Sequence, residues 1–155
     1  MKYLKNLLTT PLALPRIPKW VTIVLFILAI IGFADATYLT IKHYQNEIPN
    51  CVIGGCESVL TSKYSEILGV PVSVLGIVDY LILLILIFLY FDLKREVFLR
   101  STFFLSVFGF LASVWFTYLQ AFVLKAFCQY CLISALTSFG IFGISLYAIY
   151  KNRNK

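Results

Sequence analysis

The chain has 155 residues, of which 61% are hydrophobic and only 13% are charged. Soluble proteins carry about 25% charged residues, so this composition excludes an ordinary water-soluble domain. The formal net charge of +6 would suit a nucleic-acid-binding protein. However, the basic residues flank hydrophobic segments instead of forming one polar patch, so we expect no nucleic acid partner.

Four hydrophobic segments are each long enough to cross a bilayer, which takes about 20 residues. They cover residues 20–43, 72–91, 101–123 and 128–150. This pattern predicts an all-α membrane protein, a four-transmembrane-helix bundle surrounded by the lipid bilayer. Little chain remains outside the spans. We therefore expect one membrane domain over 20–150, between an N-terminal segment 1–19 and a tail 151–155.

The first segment has a competing interpretation. The apolar run Val21–Ile31 and the small residues Ala34–Asp35–Ala36 resemble a cleavable signal peptide. However, the leader before this run is long and contains three prolines, and apolar residues resume after the small ones. We therefore favour a retained transmembrane helix.

Basic residues are concentrated on one side of the predicted membrane. That side carries Lys2, Lys5, Arg16, Lys19, Lys94, Arg95, Arg100, Lys151, Arg153 and Lys155. The other side carries only Lys42, Lys63 and Lys125. Because short loops rich in Lys and Arg stay in the cytoplasm, we expect a multi-pass protein of the cytoplasmic (inner) membrane with both termini cytoplasmic. All four cysteines then lie on the extracytoplasmic side, where disulfides persist.

The predicted loop 44–71 separates the first two spans and carries the first cysteine pair. Apolar residues recur at helical spacing through Glu57–Leu68. Gly69 and Pro71 then interrupt the pattern before the second span. These signals predict a short helix on the extracytoplasmic surface.

The four cysteines form two pairs. Cys51 and Cys56 flank two glycines that allow the backbone to fold back and close a disulfide. Cys128 and Cys131 form a Cys-x-x-Cys motif at the start of the last span, where unpaired N–H groups stabilise the first thiolate. This arrangement predicts thiol–disulfide exchange at a membrane surface, with Cys128 as the sulfur that another thiol attacks.

Two other interpretations of the cysteines remain open. The protein could be a non-enzymatic membrane scaffold with structural disulfides, or the four thiolates could hold one zinc ion. We expect no metal, because Cys131 should point into the bilayer and the loop pair lacks the tight spacing of a zinc knuckle.

Three stretches of sequence resemble the bacterial vitamin K epoxide reductase family over about residues 20–150. They are Cys51…Cys56-Glu-Ser-Val-Leu-Thr-Ser-Lys-Tyr64, Gly69-Val-Pro-Val-Ser-Val-Leu-Gly76 and Cys128-Gln-Tyr-Cys-Leu-Ile-Ser-Ala135. The resemblance is to a single-domain form without a fused thioredoxin domain. It implies a four-helix bundle around a quinone, either ubiquinone or menaquinone from the membrane pool. It also implies a separate thioredoxin-like (DsbA-like) extracytoplasmic partner.

The resemblance also implies an order of electron transfer. Carried over by position, Cys51 exchanges with the partner, Cys56 attacks Cys128, and Cys131 passes electrons to the quinone. The implied function is that of a quinone-dependent thiol–disulfide oxidoreductase that drives disulfide bond formation. The disulfide bond protein B type of membrane bundle has the same chemistry, but its Cys-x-x-Cys lies in the first outer loop.

Two positions depart from the vertebrate members of the family. Val72 stands where they have a pocket asparagine, and Ala135 stands where they have a pocket tyrosine. These two positions are candidate quinone-pocket residues. Their identities favour quinone reduction over reduction of an epoxide.

Asp35 and Asp79 are ionisable residues inside predicted spans, which makes them functional candidates. Each lies about eight residues from the extracytoplasmic end of its helix, or roughly 12 Å deep. Quinone reduction consumes two protons, and a carboxyl group in a low dielectric stays protonated near neutral pH. Both are therefore predicted proton donors. The alternative is that each carboxyl group hydrogen-bonds a neighbouring helix or faces a wet crevice.

Overall fold

The computed structural model describes residues 17–52 and 54–153, without the side chains of residues 152 and 153. Most of the predicted N-terminal segment, with Lys2, Lys5 and Arg16, lies outside the described residues, as does Lys155. The elements in chain order are α1 Lys19–Tyr44, α2 Cys56–Leu60, β1 Glu66–Ile67, β2 Val70–Pro71, α3 Val72–Leu93, α4 Glu96–Tyr118, a π-helix Leu119–Leu124 and α5 Gln129–Arg153.

Among the described residues, four segments are long and apolar enough to cross a membrane, as the sequence predicts. They are Lys19–Tyr44, Val72–Leu93, Glu96–Leu124 and Gln129–Lys151. The third begins five residues before the predicted position 101, because a charged first turn belongs to the helix. There the negative charge of Glu96 interacts favourably with the positive end of the helix dipole, and its carboxylate pairs with Arg100 (3.6 Å). The division into segments 1–19, 20–150 and 151–155 stays a prediction.

The spanning helices form a closed ring in which α1 contacts α3 and α5, and α4 contacts the same two helices. The short link after the π-helix makes α4 and α5 antiparallel neighbours. Within the ring, Tyr80 of α3 fits against Gly32 of α1, where any Cβ would overlap the phenol ring. Large side chains such as Phe88, Phe104 and Leu136 face outward, which suits contact with lipid rather than water.

The loop contains a short helix, as predicted, but it is shorter than the predicted Glu57–Leu68. Helix α2 ends at Leu60. The chain then forms a hairpin of two-residue strands that pairs Glu66 with Pro71 and Ile67 with Val70. Hydroxyl groups explain the early end: those of Thr61, Ser62 and Ser65 donate to the carbonyls of Glu57, Val59 and Ser62. Such bonds compete with the backbone bonds that a further helical turn needs.

The π-helix is a feature that the sequence does not predict. It widens the end of α4 over Leu119–Leu124 and stops at Lys125, which has a positive φ of 49°. The backbone N–H of Ala126 donates back to the carbonyl of Gln120 (3.1 Å). Insertions of this kind occur frequently at functional sites, and this one lies directly before the second cysteine pair.

Candidate active site

The loop cysteines are joined in a disulfide, Cys51–Cys56, with their Cα atoms 6.1 Å apart. Gly54 and Gly55 between them have φ angles of 75° and 88°, a conformation that side chains strongly disfavour. Cys56 opens α2 and is buried, whereas Cys51 is partly exposed. A dithiol in solution can therefore approach Cys51 more readily than Cys56.

The motif cysteines, Cys128 and Cys131, are free thiols. Cys128 is fully buried and lies one residue before α5, so it belongs to the link and not to the spanning helix. Cys131 lies in the first turn of that helix. A hydrogen bond with the Cys131 thiol lowers the pKa of Cys128 to about 7; burial opposes this shift, and the N–H groups of Tyr130 and Cys131 add to it.

The two pairs meet in space although they are more than 70 residues apart in sequence. The sulfur atoms of Cys51, Cys56 and Cys128 all lie within 4.8 Å of one another. Gly55 makes this approach possible: a Cβ there would lie 3.2 Å from both the N and the O atom of Phe127. The loop and the Cys-x-x-Cys motif therefore form one site.

Gln120 supports this site, although sequence reasoning did not select it. Its side chain is 2% exposed. Its Oε1 accepts a hydrogen bond from the backbone N–H of Cys128 (2.9 Å), and its Nε2 donates to the carbonyl of Phe116 (3.4 Å). A glutamine eight residues before the motif, inside an apolar segment, is the signal that could have identified it.

A cavity of about 990 Å³ extends into the bundle from the same end. All four spanning segments contribute to its wall, as do α2 and the hairpin. Cys131 lies on this wall, so the expectation that it points into the bilayer is wrong: it faces the interior. Both candidate pocket positions, Val72 and Ala135, also line the cavity.

The two acidic candidates, Asp35 of α1 and Asp79 of α3, line the same cavity. The Oδ2 atom of Asp35 is buried and has no hydrogen-bond partner within residues 17–52 and 54–153. Asp79 reaches across to α4, where its Oδ2 lies 3.3 Å from the place that a Cβ on Gly109 would take. The structure thus puts both carboxyl groups and Cys131 on the wall of one cavity. Their role in proton transfer stays a prediction.

Tyr80 is a second cavity residue that sequence reasoning missed. Its hydroxyl donates to the carbonyl of Ser134 (3.0 Å) and lies 2.7 Å from Thr137 Oγ1 and 3.0 Å from Ser138 Oγ. The three partners recur on one face of α5 at helical spacing. That spacing, together with a tyrosine in an apolar helix, could have indicated a polar contact between α3 and α5.

Ionisable side chains at the end of α1 and in the loop contribute to the wall of the cavity. They are Lys42, His43, Glu47, Lys63 and Glu66. His43 Nε2 lies 3.3 Å from a carboxylate oxygen of Glu66, which joins the end of α1 to the hairpin. Lys42 pairs with Glu47 across the turn that follows the helix.

The sequence profile of the vitamin K epoxide reductase family matches residues 23–146, well over half of the chain. The chain therefore belongs to this family. It is also similar to the thiol-disulfide oxidoreductase LTO1 of Arabidopsis thaliana, with 33% identity over 121 residues. The matched region covers 72% of this chain but only 32% of LTO1, so the chain spans about a third of the length of that relative.

Proposed function

We propose that this protein is a membrane thiol oxidoreductase that takes two electrons from a thioredoxin-like dithiol and delivers them to a quinone. One observation carries the proposal: Cys128 lies within 4.8 Å of both sulfur atoms of the Cys51–Cys56 disulfide, while Cys131 lines the internal cavity. Family membership and the similarity to a thiol–disulfide oxidoreductase support it.

The proposed relay begins at the loop. A thiolate of the partner attacks Cys51 and releases Cys56, and the second partner thiolate then displaces Cys51. The partner leaves as a disulfide, and the loop pair holds two electrons as two thiols. Attack on Cys51 fits its partial exposure, since thiol–disulfide exchange requires access to the sulfur that is attacked.

The second stage transfers the electrons to the motif. The Cys56 thiolate attacks Cys128 in the oxidised motif and releases Cys131; Cys51 then displaces Cys128 from Cys56. This step restores the Cys51–Cys56 disulfide and leaves Cys128 and Cys131 as thiols, the arrangement seen here. The lowered pKa of Cys128 makes it a good leaving group in the last displacement.

The cavity fits a quinone in size and in chemistry. Ligand pockets have volumes of about 300–1,000 Å³ and combine apolar walls with a few polar groups, and this cavity has a volume of about 990 Å³. When bound, a quinone supplies the acceptor for two electrons and two protons. In this chain, Cys131 would lie beside it, Asp35 and Asp79 would hold protons, and Val72 and Ala135 would form part of the wall.

The orientation of the bundle belongs to the same proposal. Among the described residues, Lys19, Lys94, Arg95, Arg100 and Lys151 lie at the end away from the cysteines. The positive-inside bias then assigns the cysteines to the extracytoplasmic side. After mild reduction of intact cells, a membrane-impermeant thiol reagent should label Cys51 but not a cysteine introduced by Lys94→Cys. Labelling at position 94 would invert the protein and remove the oxidising compartment that the relay needs.

The direct test mixes the purified protein with a reduced thioredoxin-like protein and a short-chain quinone, and follows quinone absorbance. The expected result is catalytic loss of quinone together with disulfide formation in the thioredoxin. The Cys131→Ser variant is the control, because its motif cannot form the disulfide that closes the cycle. Absence of quinone reduction by the wild-type protein would overturn the proposal.

A metal-binding function is the second candidate, because three cysteine sulfurs within 4.8 Å of one another also suit a metal ion. It requires reduction of the Cys51–Cys56 disulfide, since the ligand is the thiolate. Measuring zinc in protein purified under reducing conditions separates the two candidates. One equivalent of bound zinc without quinone reduction would favour the metal site.

A further inference from the structure

The two residues between the motif cysteines contact the loop on both sides of Cys51. The side-chain Oε1 of Gln129 accepts a hydrogen bond from the backbone N–H of Val52 (3.1 Å), and its Nε2 donates to the carbonyl of Asn50 (3.3 Å). The hydroxyl of Tyr130 donates to the same Asn50 carbonyl (3.1 Å). Three hydrogen bonds therefore join the motif to the residues that flank Cys51.

All three bonds end on backbone atoms of the loop, so they do not depend on the loop's side chains. A primary amide is the neutral side chain that presents a carbonyl acceptor and an N–H donor side by side. Gln129 uses both groups, which fixes the peptide units before and after Cys51 at once. The ring of Tyr130 also lies 5.2 Å from that of Tyr38 on α1, so a second helix supports its position.

We propose that Gln129 and Tyr130 are positioning residues that hold Cys51 beside Cys56. This inference rests on the proposed relay and assigns a role to the two residues between the cysteines of its Cys-x-x-Cys motif. The affected step is the displacement of Cys128 from Cys56 by Cys51. In that step the Cys51–Cys56 bond forms, the Cys56–Cys128 bond breaks, and Cys128 leaves with the electron pair as a thiolate. Holding Cys51 near the sulfur that it attacks favours this direction.

A variant with three cysteines isolates this step without any partner or quinone. In Cys131→Ser protein, a single disulfide can join Cys56 either to Cys51 or to Cys128, and the two forms interconvert by exchange. The ratio of the two forms measures how strongly Cys51 is held. It is read by oxidising the protein, allowing it to equilibrate, quenching with acid, alkylating and mapping the peptides by mass spectrometry.

Gln129→Ala in this background should shift the ratio about ten-fold towards Cys56–Cys128, because two hydrogen bonds to the loop are lost. Tyr130→Phe, which keeps the ring, should produce a smaller shift in the same direction. Gln129→Glu should fall between wild type and Gln129→Ala, because it retains the acceptor for Val52 but not the donor for Asn50. Matched controls are Gln45→Ala and Tyr44→Phe, whose exposed side chains end α1 away from these contacts.

An unchanged ratio in both Gln129→Ala and Tyr130→Phe would overturn the inference, as would an equal shift in the two controls. A lower melting temperature without a shifted ratio would indicate a purely structural role and would also overturn it. The Cys51→Ser, Cys131→Ser protein tests the relay itself, since only Cys56 and Cys128 remain. Failure of that protein to form a disulfide would reject the relay order, a result distinct from loss of positioning.

Discussion

The two cysteine pairs meet at one site but are held by different kinds of structure. The loop pair lies on a segment with a five-residue helix, a two-residue hairpin and two glycines of positive φ. The motif pair lies where a π-helix and a spanning helix meet, and the buried Gln120 bonds to the backbone of Cys128. The loop can expose a sulfur to a partner in water, whereas the motif fixes its first cysteine inside the protein.

This difference separates the two tasks of the proposed relay. Exchange with a protein partner requires an accessible disulfide, and Cys51 is the more exposed cysteine of its pair. Delivery to a membrane acceptor requires a thiol inside the bundle, and Cys131 lines the cavity. Cys128 connects the two regions, because it contacts the loop disulfide and precedes Cys131 by three residues. Variants that separate the regions should therefore uncouple the two half-reactions.

The largest expected effect comes from Cys128→Ser, which removes the connection. One equivalent of disulfide should form in the partner, because the Cys51–Cys56 disulfide remains available for a single exchange. Turnover should then stop, since the loop thiols have no route to the cavity. Counting partner disulfides per protein in the presence of excess quinone gives the result. Continued turnover would show that the loop can be reoxidised without the motif.

Asp35→Asn should slow the quinone half-reaction by about 10²-fold, the usual contribution of a positioned proton donor. Exchange between the loop and the motif should be unchanged, because it does not need that proton. Asp79→Asn should have a smaller effect than Asp35→Asn, because Asp35 Oδ2 is the oxygen left without a partner within the described residues. Each half-reaction is measured separately by stopped flow. Unchanged quinone reduction in both variants would end the proton-donor hypothesis.

Gly55→Ala tests the contact between the loop and the link before Cys128. The added Cβ would lie 3.2 Å from two backbone atoms of Phe127, which should push the disulfide away from Cys128 and slow exchange by roughly 10- to 100-fold. Gly54→Ala is the matched control. It has the same unfavourable φ sign, but open space surrounds its Cβ position.

Backbone strain should cost both glycine variants a similar amount of stability, about 1–2 kcal/mol, because a side chain disfavours the left-handed conformation. Thermal melts of the two variants measure this loss of stability, so that a difference in exchange rate can be compared with it. Equal slowing in both variants would attribute the effect to backbone strain and not to the contact with Phe127.

Gln120→Met should have the smallest effect of the four changes. Methionine has a similar length, but its thioether sulfur is only a weak acceptor for the N–H of Cys128, and a buried donor without a good partner costs about 1–3 kcal/mol. We expect a lower free energy of unfolding and an exchange rate reduced by about ten-fold or less. Gln45→Met at an exposed position is the control. Wild-type values for Gln120→Met in both measurements would show that Cys128 needs no support from the π-helix.

The local sequence pattern was sufficient to predict the membrane spans, because a span depends only on consecutive residues. A span requires about 20 consecutive apolar residues, and the predicted 20–43 and 72–91 differ from the observed Lys19–Tyr44 and Val72–Leu93 by no more than two residues at either end. A short helix in the loop was also predicted, but its predicted end at Leu68 is wrong, because three hydroxyl side chains bond to nearby carbonyls. Sequence alone gives only a weak signal of this competition. It ends the helix only when the following residues can form the hairpin.

The sequence alone determined that this chain crosses the membrane four times and carries two short-range cysteine pairs. Both properties depend only on residues that are close together in sequence, namely the length of each apolar run and the spacing of the cysteines. Only the tertiary structure decided that Cys131 faces an internal cavity and that Cys128 lies beside the loop disulfide. It also supplied the contacts of Gln120, Tyr80 and Gln129. The physical reason is sequence distance: Val52 and Gln129 are 77 residues apart, and only the packing of four helices brings such groups within reach.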